Sequence, residues 1–468
     1  MFEKIARPAE FTRQAFFLKK MKTKLYSTVK TQIGDMVTPV SMYLKIREKY
    51  PVSVLLESSD YQGKENSFSF IAFEPIATYE TGEKETKQGT MENIVNFYER
   101  YEVVSDNSLA YQFNGIFGYM TFESIQYFDT IEPAYSSPIP NIRFHLFKYV
   151  LAFDHFSNQL HIIENSFSKE EPGHIEHINK LVNQMNGARF SFEAGTKEST
   201  MTNTQYKNLV TKAKEHCKRG DVFQLVLSRP YSRAFKGDEF NVYRALRSIN
   251  PSPYLFYFDY GSYKLMGSSP EAQIVVKDNK AEIHPIAGTV KRSGDELEDE
   301  KAAKQLTHDP KENAEHVMLV DLARNDLSRT CSNVNVEKGM HLQFFSHVIH
   351  LVSIVKGEVS ENKSPFEVLA HSFPAGTLSG APKYRAVELI NTYEETARGF
   401  YGGAIGYANF QGDLNMAIMI RSLMSMNNKL YYQAGAGIVI DSIEENELQE
   451  VENKLKALNK AIEMAETL

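Results

Sequence analysis

Glu312 and Glu315 stand three residues apart in the run Asp309-Pro-Lys-Glu-Asn-Ala-Glu-His-Val-Met-Leu-Val-Asp-Leu-Ala-Arg324, and Glu447 and Glu450 repeat that spacing far downstream. Three residues apart on a helix is one face. Two helices that each aim a carboxylate pair at one point would make an all-oxygen site for a hard cation, with Mg²⁺ the usual occupant. Helices also carry glutamates at this spacing for solubility alone, so spacing leaves both readings open. The surrounding pattern bears on the choice. Positions 312, 315, 319 and 322 form a stripe of Glu, Glu, Leu and Leu, so the carboxylates continue the apolar side. In the final helix Glu447 and Glu450 border an apolar stripe of Leu448, Val451, Leu455, Leu458 and Ile462. Both pairs lean toward the interior.

The elements that would carry these pairs are well specified. Asp309 suits an N-cap, Pro310 the first helical position and Glu312 the third, a capping-box-like start. The last helix is expected over about 442–467. Residues 40–160 alternate apolar and polar in short runs, such as Val52-Ser-Val-Leu-Leu and Gly115-Ile-Phe-Gly-Tyr-Met, and read as antiparallel strands. A helical pattern at 174–185 follows, then a polar linker at 186–203. A second region opens with a helix at 204–219 and enters a strand at 222–228. Further strands are expected at 254–260, 272–277, 348–359, 402–408, 415–422 and 429–434. Hairpin strands with interspersed helices predict an α+β fold.

At 468 residues the chain can bury a large core in more than one lobe. A net charge of −7 with no offsetting basic run argues against nucleic acid or an anionic membrane as partner. No stretch approaches the ~18 apolar residues of a membrane span. Cys217 and Cys331 form neither a disulfide framework nor a zinc spacing with histidine, and the cysteine usage points to the cytoplasm. Residues 1–20 read as an extension ahead of a start at Met21, leaving an N-terminal region at 21–185 and a catalytic region at 204–468.

The stretch 267–437 holds unusual local sequence. Gly267-Ser-Ser-Pro-Glu271 places a carboxylate just before a strand, and Phe373-Pro-Ala-Gly-Thr377-Leu-Ser-Gly-Ala-Pro-Lys383 is a small-residue loop leading to a helix. That loop is not a P-loop, because Walker A requires Gly-Lys-Ser/Thr at its end. His350 starts a strand. Arg398-Gly-Phe-Tyr401-Gly-Gly, Ile420-Arg421-Ser and Gln433-Ala-Gly435-Ala-Gly437 complete the set. Glycine-rich turns let backbone N–H groups approach an anion, and Arg421 can pair with a carboxylate through two hydrogen bonds.

Together these strings resemble the chorismate-utilising enzymes, and among them the large subunits of anthranilate synthases. The resemblance rests on Pro285-Ile-Ala-Gly-Thr289, Glu312 to Asp326, His347-Val-Ile-His-Leu-Val-Ser353 and Pro374 to Lys383, and covers about 200–460 most densely. It implies antiparallel sheets in a two-lobed sandwich with helices outside. It implies Mg²⁺ held by Glu315 and Glu450 with Glu312 and Glu447 as partners, the metal holding the ring carboxylate of chorismate. Glu271 matches the general acid for the leaving C4 hydroxyl, a role that burial suits. Thr289, Thr377 and His350 match residues around the ring, His350 being associated with loss of pyruvate. Tyr401, Arg421 and the backbone at Gly435 and Gly437 match the pocket for the enolpyruvyl carboxylate.

Two positions separate the branches of that family. Members that add water carry a lysine base where this chain has Gln224, and aminodeoxychorismate synthases typically carry a lysine where it has Ala287. Both positions favour ammonia attack at C2 followed by pyruvate elimination, giving anthranilate for tryptophan biosynthesis. A non-catalytic chorismate or tryptophan sensor is the rival of another class, and it should lack Glu271 or the metal carboxylates. Neither cysteine fits an amidotransferase nucleophile set, so a separate glutamine amidotransferase subunit and a hetero-oligomer are expected. Glu57 and Ser58 match the family's tryptophan feedback motif, with Pro253, Tyr254 and Leu255 as the other wall, Tyr407 beside them and Lys64 as a further contact. The chain contains no tryptophan, which fits a protein that must be made when tryptophan is scarce.

Overall fold

The computed structural model describes residues 22–58, 68–82, 85–171, 173–184, 190–344 and 348–468. The expected extension at 1–20, Lys64, the first part of the expected linker and the side chain of Thr289 lie outside the described residues.

Among the described residues antiparallel pairing dominates, with one parallel pair between Thr23–Ile33 and Tyr101–Val104. The strand Ile142–Asp154 is the pivot. One edge pairs along its length with Phe68–Glu80. The other pairs with Gly115–Met120 over its first half and Gln159–Ser166 over its second. Two sheets run from it. One passes through Phe68–Glu80, Val52–Glu57, Tyr254–Tyr260, Tyr263–Ser269, Ser422–Met426 and Lys429–Ile438 to Gln224–Gly237. The other passes through Gly115–Met120, Ala404–Asn409, Leu414–Ile418, Ala272–Lys277, Lys280–Ile283 and Val348–Val359. Strands of the 21–185 and 204–468 regions therefore pair directly, at Val52–Glu57 with Tyr254–Tyr260 and at Gly115–Met120 with Ala404–Asn409.

The sequence explains why the sheets stack. Successive strand side chains point to opposite faces. Val54, Phe70, Ala72, Phe256, Phe258 and Ile405 pack in one cluster, whereas Leu55, Ile71, Phe73 and Tyr257 belong to another that takes in the helices. Runs such as Leu255-Phe-Tyr-Phe258 are apolar throughout because both faces are covered. Each such side chain contributes roughly 1.5–3 kcal/mol of burial free energy. The α+β class expected from the strand pattern, with the antiparallel sheets that the resemblance implies, is the fold observed.

The helices carrying the glutamate pairs are Pro310–Ser328 and Glu444–Ala465. The Glu312 N–H donates to Asp309 Oδ1 at 3.1 Å, the expected cap. Leu448, Val451, Leu455, Leu458 and Ile462 are all buried. Among the details that differ from the strand pattern, the strands expected at 222–228 and 429–434 are Gln224–Gly237 and Lys429–Ile438. The strand expected at 415–422 splits into Leu414–Ile418 and Ser422–Met426, because Arg421 takes a left-handed φ of 49° between them. The strand expected from 402 begins at Ala404, since Gly402 sits at φ 75°. The expected linker holds a short strand, Phe192–Ala194, paired with the end of Gln224–Gly237. No described helix is long and apolar enough to cross a membrane.

Candidate active site

Glu271 lies just before the strand Ala272–Lys277, and Thr377 on the short helix Gly376–Ser379 donates its hydroxyl to Glu271 Oε1 at 3.0 Å. Part of the Glu271 surface remains accessible, but surrounding protein removes enough water to push its carboxyl up to about 7. The Thr377 hydrogen bond and the charges of Arg421 and Lys454 pull the other way and lose. Arg421 is in turn held below its usual range by burial, with Glu271 opposing. Its left-handed backbone costs on the order of 1 kcal/mol and places a cation next to the acid.

Gln224 opens the strand Gln224–Gly237 and is buried. Its amide Nε2 donates to Glu315 Oε1 at 2.9 Å, which joins the sheet to the helix Pro310–Ser328. The neighbouring strand leaves room for this amide because residue 437 is glycine. A Cβ there would come within 2.5 Å of Gln224 Nε2. On the last helix Glu447 is buried, while Glu450 is exposed and pairs with Lys454 at 2.7 Å. Lys454 also donates to the Gly435 carbonyl at 2.9 Å, tying this helix to the strand Lys429–Ile438. Among the described residues no three His, Cys, Asp or Glu side chains are gathered closely enough to hold a cation. The donor chemistry of Glu312, Glu315, Glu447 and Glu450 nevertheless suits Mg²⁺. All are carboxylates, and Glu315 and Glu450 already engage an amide N–H and an ammonium, partners of the polarity a cation would replace.

His350 and Thr289 are cross-strand neighbours beside a bulge between Ala287 and Thr289. Gly288 occupies the bulge at φ 71°, where a Cβ would press on Leu306 and approach Glu312 Oε2 to 3.1 Å. His350 Nδ1 donates to the Gly288 carbonyl at 3.3 Å, which leaves Nε2 as the basic nitrogen. Burial depresses the imidazole pKa, with Arg421 adding to the effect, so the ring is neutral near pH 7. Ala287 is buried on the same strand, paired with Leu351.

Tyr401 is buried, its phenol hydrogen-bonded with the Gly435 backbone and its pKa pushed up by desolvation. Beneath it sits a device that the motif reading did not assign. Arg398 is 3% exposed and donates to both oxygens of Glu394, to the Leu378 carbonyl and to the Val226 carbonyl. Glu394 also accepts from the backbone N–H and hydroxyl of Ser228. One guanidinium thus ties the turn carrying Thr377, the strand carrying Gln224 and the loop carrying Tyr401. Its place in the Arg398-Gly-Phe-Tyr401 string was a signal, but its partners are remote in sequence. Lys454 was missed for the same reason.

A separate cavity of about 230 Å³ is lined by Glu57, Ser58, Pro253, Tyr254, Leu255 and Tyr407, together with Phe70, His284 and Asn415. Glu57 accepts from the Tyr243 hydroxyl at 2.6 Å and from Arg247 Nε at 2.9 Å. Pro270 and Ala272, the residues on either side of Glu271, form part of this cavity's wall.

The sandwich and its acid, histidine and arginine define a class: the sequence pattern of the chorismate binding enzymes matches residues 53–460, and the chain belongs to that family. Within it, the anthranilate synthase component 1 of Aquifex aeolicus is 37% identical over 462 residues, covering 92% of this chain and 93% of the relative. That of Thermus thermophilus is 36% identical, covering 93% and 98%. The solved anthranilate synthase component I of Streptococcus pneumoniae is 31% identical and superposes with a TM-score of 0.74 over 91% of this chain and 99% of that one. The menaquinone-specific isochorismate synthase of Escherichia coli superposes with a TM-score of 0.75 at 18% identity, a likeness of fold alone.

Proposed function

We propose that this chain is the large component of an anthranilate synthase, a carbon–oxygen lyase that converts chorismate and ammonia to anthranilate and pyruvate. The observation that carries the reading is a carboxyl at Glu271 pushed up to about 7, in a chain whose Gln224 and Ala287 offer no base or nucleophile. Glu271 in its acid form gives a proton to the departing C4 hydroxyl, which leaves as water, while ammonia forms its bond at C2 and the ring double bonds shift. Thr377 holds the acid in place. Gln224 donates to Glu315 and cannot deprotonate water, which disfavours hydration. Ala287 cannot form a covalent adduct, which disfavours the 4-amino product. Neutral His350 then takes the C2 proton as the enolpyruvyl group departs and, gaining a proton at its methylene, becomes pyruvate. Arg421, Tyr401, the backbone at Gly435 and Gly437, and Thr289 suit the enolpyruvyl carboxylate and the ring.

Glu315 and Glu450, with Glu312 and Glu447, would hold Mg²⁺, which when bound supplies charge neutralisation for the ring carboxylate. The ammonia comes from glutamine through a separate amidotransferase subunit, making a hetero-oligomer, and we place the enzyme in the cytoplasm. Tryptophan, bound in the cavity of Glu57, Ser58, Pro253, Tyr254, Leu255 and Tyr407, inhibits it. Incubating the purified chain with chorismate, Mg²⁺ and an ammonium salt should produce the fluorescence of anthranilate. Accumulation of a 4-amino product, or no turnover, rejects the reading.

A further inference from the structure

In the proposed reaction each turnover strips a proton from Glu271 while substrate occupies the chamber. Glu271 also lines a small void. About 30 Å³ are lined by Glu271, Thr377, Gln273, Ser372, Leu322 and Asp326, among others. A water needs about 10–15 Å³ and two to four polar partners. The void offers these, including the buried Gln273 Oε1, which has no hydrogen-bond partner, while Gln273 Nε2 donates to the Ser372 carbonyl. Beyond the void lies an outer cavity of about 170 Å³, walled by Asp129, Arg329, His371, Lys383 and Tyr384. The two spaces share Leu322 and Asp326 as walls.

We propose that Asp326, with Lys383, relays protons from the outer cavity through water in the inner void to Glu271, reloading the acid from behind. The proposal rests on the chorismate reading above. Asp326 is 6% exposed, and Lys383 Nζ donates to its Oδ2 at 2.6 Å and to the Ser372 carbonyl at 2.8 Å. The proton balance closes. Glu271 loses H⁺ to the C4 hydroxyl. The water in the void passes H⁺ to the Glu271 carboxylate and receives one from the Asp326–Lys383 pair. Solvent in the outer cavity restores the pair. Burial pushes Asp326 up and Lys383 down, which brings the two groups closer in proton affinity. Arg329 is the other charge acting on Asp326, and Arg329 and Asp129 both act on Lys383. None of these groups belongs to the carboxylate set assigned to Mg²⁺.

A rapid-quench experiment with chorismate, Mg²⁺ and ammonium tests the relay. In Asp326→Asn the first turnover should keep its wild-type rate, because Glu271 starts loaded. Later turnovers should slow on the order of tenfold or more. The steady-state solvent deuterium effect should grow, and added imidazole should restore the rate by entering the outer cavity. Asp326→Asn leaves Lys383 unpaired, so Asp326→Asn/Lys383→Met and Gln273→Leu are measured beside it. Gln273→Leu keeps the ion pair, removes the water's acceptor and should show the same burst followed by slowing. Equal loss in the first and later turnovers, or no loss in any folded variant, overturns the relay. A wild-type chain that forms no anthranilate overturns the chorismate reading and the relay with it.

Discussion

A carboxyl that must give up a proton at neutral pH has to be made a weaker acid, and Glu271 reaches about 7 through desolvation. The sign follows. In the proposed role its acid form is the working form, so the contribution of Glu271 to the rate is full below pH 7 and is lost as pH rises through about 7. Ammonium yields free ammonia only at higher pH, so with ammonium salts the two requirements oppose and a bell-shaped profile is expected. Glu271→Gln keeps size and the Thr377 contact but carries no transferable proton. Its kcat should fall about 10²–10⁴-fold with little change in KM, as steady-state kinetics would show. Gly437→Ala attacks the opposite wall. The new methyl meets Gln224 Nε2, so the Gln224–Glu315 bond should break and KM for chorismate rise. A variant with unchanged KM would contradict the assigned packing.

At the scale of elements, one short segment serves two sites. Glu271 faces the chamber, while Pro270 and Ala272 belong to the wall of the other cavity. Under the proposed function, a ligand held between Glu57 and Pro253 would therefore bear on the backbone that carries Glu271. Ser58→Phe, which fills the cavity's polar end, should abolish inhibition by tryptophan and leave the uninhibited rate within a factor of about two. Retained inhibition would place the effector elsewhere. Arg398 organises the chamber's other side. Breaking a buried ion pair by removing one partner costs about 3–5 kcal/mol, so Arg398→Met should lower the urea midpoint by that free energy divided by the m-value. Loss of activity without loss of stability would instead give Arg398 a direct part in the chemistry.

At the scale of the molecule, the pairings of Val52–Glu57 with Tyr254–Tyr260 and of Gly115–Met120 with Ala404–Asn409 make the 21–185 and 204–468 regions parts of the same sheets. Under the proposed function, a ligand in the cavity of Glu57 and Pro253 and the chemistry at Glu271 are therefore joined by hydrogen-bonded strands rather than by a loose interface. Supply of ammonia belongs to this scale too. The purified chain should form anthranilate from ammonium and none from glutamine until an amidotransferase subunit is added. Glutamine-dependent turnover by the chain alone would remove the need for that partner.

Much of this was legible from residues alone. Strand and helix types followed from periods of two and 3.6 along the chain, and the cap at Asp309 and the buried stripe from Leu448 to Ile462 stand where the pattern puts them. The resemblance carried by the motif strings supplied Glu271, His350, Arg421 and the six cavity residues as candidates, because each lies in a local string that can be matched without the fold. What the chain could not reveal locally were contacts between groups far apart in sequence. Gln224 on Glu315, Lys454 on Gly435, Arg398 on Leu378 and Val226, and Lys383 on Asp326 exist only once the sheets close. The break at Arg421 was hidden for a related reason, since a left-handed arginine is a local cost that only the surrounding packing repays. Sequence by itself determined which chemical groups this protein carries. Tertiary structure decided their protonation and their partners, because desolvation and hydrogen bonding depend on neighbours in space.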